Sequence, residues 1–192
     1  MIQQLYEPFR STWSGKGTVW ILSDPHFNDT ELIAGAPNHP DAATLIKNIN
    51  SKVGSNDTLI LLGDICDCEC IKQIRPKAHK VLIMGNHDDK GVSYYKQYFD
   101  EVYEGALIIS KNVILSHEPL IAYPFLFNIH GHEHHKHSMA ANELNVCVDA
   151  LDESFPVSLT ALYKKGGFSS LPVKDIHRYT IDRATARSRK RN

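Results

Sequence analysis

Three short apolar runs, at residues 18–22, 58–62 and 80–84, each lead straight into a polar motif: Asp24-Pro25-His26, Gly63-Asp64 and Gly85-Asn86-His87-Asp88. A run of that length bounded by turn residues suits a buried strand. In open α/β sheets the loops beyond the carboxyl ends of the strands converge on a crevice, while the apolar strands beneath hold them still. The pattern therefore predicts parallel strands that present polar side chains at one end of a sheet.

Two more motifs follow in the second half, Ser116-His117-Glu118-Pro119 and Gly131-His132-Glu133-His134. The five together offer two Asp (Asp24, Asp64), one Asn (Asn86) and four His (His26, His117, His132, His134), with His87 to spare. Taken singly, each reads as a turn or a polar core histidine. The ordered series is what a site holding two metal ions for hydrolytic chemistry requires. Imidazole, carboxylate and amide ligands suit Mn, Fe, Zn, Co or Ni better than Mg or Ca, which prefer oxygen-only shells.

Between the motifs the chain alternates strand and helix. His39-Pro40-Asp41 reads as a helix start, Leu45, Ile46, Ile49 and Val53 form an apolar face at helical spacing, and Gly54 is a stop. A short helix is expected around residues 70–74 and another carrying Tyr94, Tyr95, Tyr98 and Phe99. Strand-like runs follow at 106–109, 112–115, 125–129 and 143–148, and residues 173–181 suit one more strand or an arm.

Composition excludes several classes. At 192 residues, 42% hydrophobic and 22% charged, the chain is an ordinary globular domain with enough length for a full core. Its start lacks a basic region followed by an apolar run, and no stretch approaches a membrane span, so neither a signal peptide nor a membrane role is expected. Four cysteines do not suggest a disulfide framework, and a cytoplasmic setting is expected. The net charge of -1 is unevenly spread. Residues 174–192 hold seven Lys or Arg against two Asp, a net of +5 that leaves -6 for the body.

The motif series resembles the calcineurin-like metallophosphoesterase superfamily, whose pattern is D-x-H, G-D, G-N-H-D/E, a lone H and G-H-x-H. Within it, the short uncapped chain is similar to small bacterial and phage phosphoesterases, and the stretch Asn145-Val146-Cys147-Val148-Asp149 followed by Pro156-Val157-Ser158-Leu159 is similar to the segment that closes that subgroup. The resemblance implies a four-layer α/β/β/α sandwich in a single domain at residues 1–173, with 174–192 a basic tail. It implies that Asp24, His26 and His134 bind one metal, that Asn86, His117 and His132 bind the other, and that Asp64 bridges them. His87 would be the general acid, and Asp88 would orient it or support its charge. Two ions roughly 3.5–4 Å apart clamp a phosphate and activate a bridging hydroxide, and His87 protonates the departing oxygen. Manganese is the expected ion, with Fe, Zn, Ni or Co as alternatives. A scaffold that kept the fold without the chemistry would usually lose ligands or the acid His, and this chain keeps them all.

Departures from other branches narrow the substrate. Protein phosphatases of the superfamily carry Arg in G-D-x-V-D-R-G, whereas here the run is Gly63-Asp64-Ile65-Cys66-Asp67-Cys68-Glu69. Without that phosphate-gripping Arg a phosphodiester, with one negative charge, is the expected substrate: a small molecule or a nucleotide. Phosphomonoesterase and nuclease activities are the alternatives, the latter helped by the tail. Specificity falls to loops at 28–40 and 118–127 or to a partner subunit, with Tyr123 and Phe125 able to stack on a base or to pack. Cys66, Cys68 and Cys70 read as reduced thiols rather than a soft-metal site. His130, His135 and His137 read as solvent-facing or supporting groups, Trp13 and Trp20 as packing residues, and Lys90 as an exposed cation.

Overall fold

The computed structural model describes residues 3–4, 13, 17–110, 112–120, 127–134, 142–151 and 154–164. Two five-stranded sheets face each other. In the first, β2 (Val19–Leu22), β3 (Thr58–Leu61), β4 (His79–Ile83) and β5 (Glu101–Tyr103) run parallel, and β10 (Val157–Ser158) adds antiparallel to β2. In the second, β7 (Val113–Leu115), β8 (Phe127–His130) and β9 (Glu143–Asn145) run parallel. There β6 (Leu107–Ser110) joins antiparallel to β7, and β1 (Gln3–Gln4) lies parallel to β6.

The apolar runs are buried on both faces because the first sheet is covered on both faces, as parallel sheets usually are. Side chains alternate along a strand, and the two faces go to two cores. Ile21, Ile60, Leu62, Val81 and Ile83 pack against Leu107, Ile109, Leu115 and Ile129 of the opposite sheet, with Trp13 among them. Leu22, Leu59, Leu61 and Leu82 face the other way, onto Leu45, Ile49, Val53 and Ile71. Leu45 and Ile49 are the buried positions of α2 (Ala42–Lys52), whose N-cap Asp41 accepts a hydrogen bond from Thr44 N at 2.7 Å. Truncating Leu45 or Ile49 to Ala there would cost about 2–5 kcal/mol. Both Trp20 and Trp13 pack as expected, and each also donates its indole N–H to a carboxylate, Asp57 and Glu101 respectively.

Three elements differ from the sequence expectation. The helix expected near residue 70 is a 3₁₀ segment, Cys68–Gln73, started by Asp67, which accepts from Glu69 N. The aromatic helix is one turn only, α3 (Val92–Tyr95); its N-cap Gly91 offers no side-chain bond, and aromatic residues propagate helix weakly. A further turn of helix, α1 (Thr30–Gly35), lies in what reads as a loop. The last helix, α4 (Leu159–Lys164), places Leu159 and Leu162 in the inter-sheet core. The strand or arm expected at 173–181 and the basic tail lie outside the described residues.

Every motif leaves the carboxyl end of a parallel strand: β2, β3 and β4 in one sheet, β7 and β8 in the other. The two sheets are tied at that end. Ser23 N donates to Val146 O at 2.9 Å, and Val148 N donates to Ser23 O at 3.1 Å, so the chain beyond β9 pairs with the chain beyond β2.

Candidate metal centre

The loops at this end are folded tightly and under strain. Seven described non-glycine residues have positive φ, and four of them are Asp24 (56°), His26 (37°), Asp64 (56°) and His132 (66°). Such backbone is uncommon outside glycine and concentrates where surroundings over-determine it. Glycines make the closeness possible. Gly63 has φ 94°, and a Cβ there would stand 2.4 Å from Gly85 N. A Cβ on Gly131 would stand 1.9 Å from Ser23 Oγ and 2.2 Å from Asp24 Oδ2. Only hydrogens fit where the loops touch.

The side chains those loops carry meet at one place. Ligand atoms of Asp24, His26 and Asp64 lie within 4.8 Å of one another, and so do those of Asp64, His117 and His132. Asp64 belongs to both groups. His26 Nε2 and His117 Nε2 each stand 3.4 Å from Asp64 Oδ2, and His117 Nε2 is 2.8 Å from Asn86 Oδ1 and 3.1 Å from His132 Nδ1. His134 Nε2 is 4.0 Å from Asp24 Oδ1.

The separations of 3.1 and 3.4 Å fit cations. Two ligand atoms each about 2.1 Å from one ion stand about 3.0–3.4 Å apart at octahedral to tetrahedral angles. Asp24 Oδ1 and His26 Nε2 are fully buried atoms without a hydrogen-bond partner. Atoms of that kind cost free energy unless something else satisfies them. His117 Nε2 can share only one proton with Asn86 Oδ1 and His132 Nδ1, whereas a cation satisfies all three. Electrostatics agree. Burial disfavours a charged His26, yet Asp64, Cys66 and Asp29 beside it outweigh burial and push its pKa up to about 10. Burial likewise raises Asp64, but His26, the charge of His117 and the His87 N–H outweigh it and hold the carboxyl below its ordinary range. Surroundings that favour positive charge on His26 and negative charge on Asp64 suit metal ions.

A profile of the calcineurin-like phosphoesterase family matches residues 17–155. The chain belongs to that family. It is therefore a metal-dependent phosphoesterase by family, with divalent ions as cofactor and a phosphate ester as the class of substrate. Its fold is also similar to the crystal structure of a protein of unknown function, AQ665, from Aquifex aeolicus. That likeness has a TM-score of 0.63 at 26% identity and covers 77% of this chain and 98% of that one. No curated protein matches it.

In this calcineurin-like site three of the four ligand-type histidines, His26, His117 and His134, are set by a partner on the other nitrogen, as metal-bound imidazoles usually are. His26 Nδ1 faces Asp29 Oδ2 at 3.0 Å, His134 Nδ1 faces Asp149 Oδ2 at 2.6 Å, and His117 Nδ1 faces Leu62 O at 2.7 Å. All three partners only accept, so in the neutral ring Nδ1 carries the proton and Nε2 is the nitrogen left to ligate. Asp29 and Asp149 were not singled out from sequence. Asp29 follows His26 by three residues, and its other oxygen caps α1 through Glu31 N and Leu32 N. Asp149 ends the Asn145–Asp149 run and also faces His39 Nδ1 at 2.9 Å; His39 Nε2 faces Pro25 O at 3.1 Å. His134 and His39 hold the Asp149 carboxyl far below its ordinary range despite burial, which alone would raise it.

His87 is exposed, its ring 5.3 Å from that of His26, and its backbone N–H donates to Asp64 Oδ1 at 2.9 Å. Asp88 is engaged elsewhere than expected. Its buried carboxylate accepts from Gly85 N at 2.8 Å, Asp64 N at 2.9 Å and Ile65 N at 3.0 Å. It ties the Gly63-Asp64 loop to the Gly85–Asp88 loop, and its described bonds go to backbone, none to the His87 ring.

The remaining candidates sort plainly. No metal-type cluster among the described residues includes Cys68 or Cys70; both are buried, and burial raises their thiols to about 12 and about 11. Cys66 is exposed, 3.4 Å from His26 Nδ1. His130 is buried rather than solvent-facing. Lys90 is exposed and paired with Asp89 at 3.5 Å. His135, His137, Tyr123, Phe125 and the tail lie outside the described residues. No helix among the described residues is long and apolar enough to cross a membrane.

Proposed function

We propose that the chain is a dinuclear phosphodiesterase. Asp24, His26 and His134 would hold one ion, Asn86, His117 and His132 the other, and Asp64 both. The observation that carries this is the membership of Asp64 in both ligand groups. Two divalent ions held there would supply charge neutralisation on the phosphate oxygens and a water of lowered pKa. The rest falls to the chain. The His87 ring, beside His26 and open to solvent, donates a proton to the departing ester oxygen. Its backbone bond to Asp64 Oδ1 fixes that donor relative to the bridging carboxylate, and Asp88 holds the two loops in register as a positioning residue.

The mixed nitrogen and oxygen ligand set favours a transition ion, and manganese is the ion proposed here, with Fe, Zn, Ni or Co as alternatives. Four free thiols fit a cytoplasmic setting. The absence of Arg or Lys among the described candidate ligands and their partners favours a diester over a dianionic monoester. The test is hydrolysis of bis(4-nitrophenyl) phosphate beside 4-nitrophenyl phosphate, with metal-stripped protein reloaded with Mn, Ni, Zn or Mg, and Asp64→Asn alongside. Turnover that needs metal, favours the diester and falls at least 100-fold in Asp64→Asn is expected. Folded, metal-loaded protein inert on both esters would overturn the reading.

A further inference from the structure

Beside the metal centre, on the side of Asn86 and His117, opens a cleft of about 280 Å³. Its walls include Met84, Ala106 and Leu120, and the exposed carboxylates of Glu104 and Glu118 border it. No Lys or Arg is among the described residues lining it. Nothing in the proposed chemistry uses this space: the acid, His87, lies against His26 in the other ligand group.

That asymmetry gives the cleft a meaning. A phosphodiester has two organic arms. The one that leaves must face the proton donor, so the arm that stays on phosphorus must point elsewhere. We propose that the cleft beside Asn86 and His117 receives the retained arm of the substrate, and that this arm is small and apolar with a neutral or cationic end. The inference rests on the phosphodiesterase reading above and adds a substrate class to it. A volume near the low end of ligand pockets, which run from about 300 to 1,000 Å³, suits a short ester group. Apolar walls take its carbon chain. Two carboxylates, with no cation among the described lining residues, repel a further phosphate or carboxylate and attract a positive charge. A nucleic-acid strand, with its row of phosphates, is the kind of arm this border rejects.

The test uses 4-nitrophenyl phosphodiesters that share a leaving group and differ in the retained arm: ethyl, choline and 2-carboxyethyl. It is run on the metal-loaded full chain, with 4-nitrophenyl phosphate as a substrate that lacks a retained arm. The expected order of kcat/KM is choline, then ethyl, then carboxyethyl, with at least tenfold between first and last. Glu104→Gln, a change at an exposed position, narrows that ratio several-fold and leaves the monoester rate within twofold. Leu120→Trp, which fills the cleft, raises KM for the ethyl and choline diesters and spares the monoester. Calorimetric titration with phosphocholine and with ethyl phosphate gives a readout apart from turnover, and the same preference is expected there. If the protein hydrolyses all the diesters equally and both variants slow monoester and diesters alike, the cleft assignment is wrong and the phosphodiesterase reading stands. Folded, metal-loaded protein inert on every ester overturns both.

Discussion

Asp149 lies outside the five motifs, yet replacing it should weaken the centre in a defined way. Its carboxylate receives His134 Nδ1 at 2.6 Å and His39 Nδ1 at 2.9 Å, and it is nearly buried. In Asp149→Asn the shape is kept, but one charge is lost and an amide N–H₂ is turned toward a ring that already donates. Removing an outer partner of a ligating His typically costs 10–100-fold in metal affinity, or about 1.4–2.7 kcal/mol. Competition between metal-free protein and a chromogenic chelator measures this directly. The expected result is one ion weakened by that factor and the other held as in wild type, with turnover restored at high metal concentration. The pH dependence has a definite sign. The folded carboxyl is depressed, so the stability it contributes to the metal-free protein is fully present above the unfolded value of about 3.9 and lost as the pH falls through the folded value. The gap in denaturation midpoint between wild type and Asp149→Asn should therefore close in strong acid. Unchanged affinity for both ions, or a loss of turnover that no metal concentration restores, would refute this chain of reasoning.

Three other perturbations follow from the same geometry. His87→Ala should keep both ions and lose about 10²–10⁴-fold in turnover on esters with poor leaving groups; near-normal rates on an alkyl ester would remove the acid role. Gly131→Ala drives a methyl into Ser23 and Asp24, and should lower metal affinity more than it lowers the melting temperature, as titration beside a thermal scan would reveal. Asp88→Ala strands three backbone N–H groups, each costing about 1–3 kcal/mol if left unsatisfied. Relief of a buried charge, whose pKa burial raises, offsets part of this, so a net loss of about 2–5 kcal/mol in urea unfolding is expected. A change below about 0.5 kcal/mol would show that the two loops hold without it.

Much of this was legible in the chain because the strands beneath the motifs are buried on both faces. VWIL and TLIL are nearly unbroken apolar runs and HKVLI ends in one, and the ligand types follow within a few residues. The helix start at Asp41 was legible because its cap is local. What could not be read depends on distant partners. The segment α1 buries no side chain and starts from Asp29, a residue also tied to His26. The strand β10 is two residues long and exists through its pairing with β2. The roles of Asp149 and His39 depend on a contact across 110 positions, which no local spacing encodes. Asp88 was expected to serve His87, its neighbour, but a carboxylate buried between two loops binds the nearest backbone donors.

The central claim is that one carboxylate, Asp64, joins two ligand sets. Its most direct test is the number of ions bound. Metal-free protein titrated with Mn²⁺, with bound ion counted by mass spectrometry under native conditions, should take up two ions per chain, and Asp64→Ala should bind at least one of them with sharply reduced affinity. A wild-type chain that saturates at one ion, or an Asp64→Ala variant that still binds two as tightly, would contradict the account.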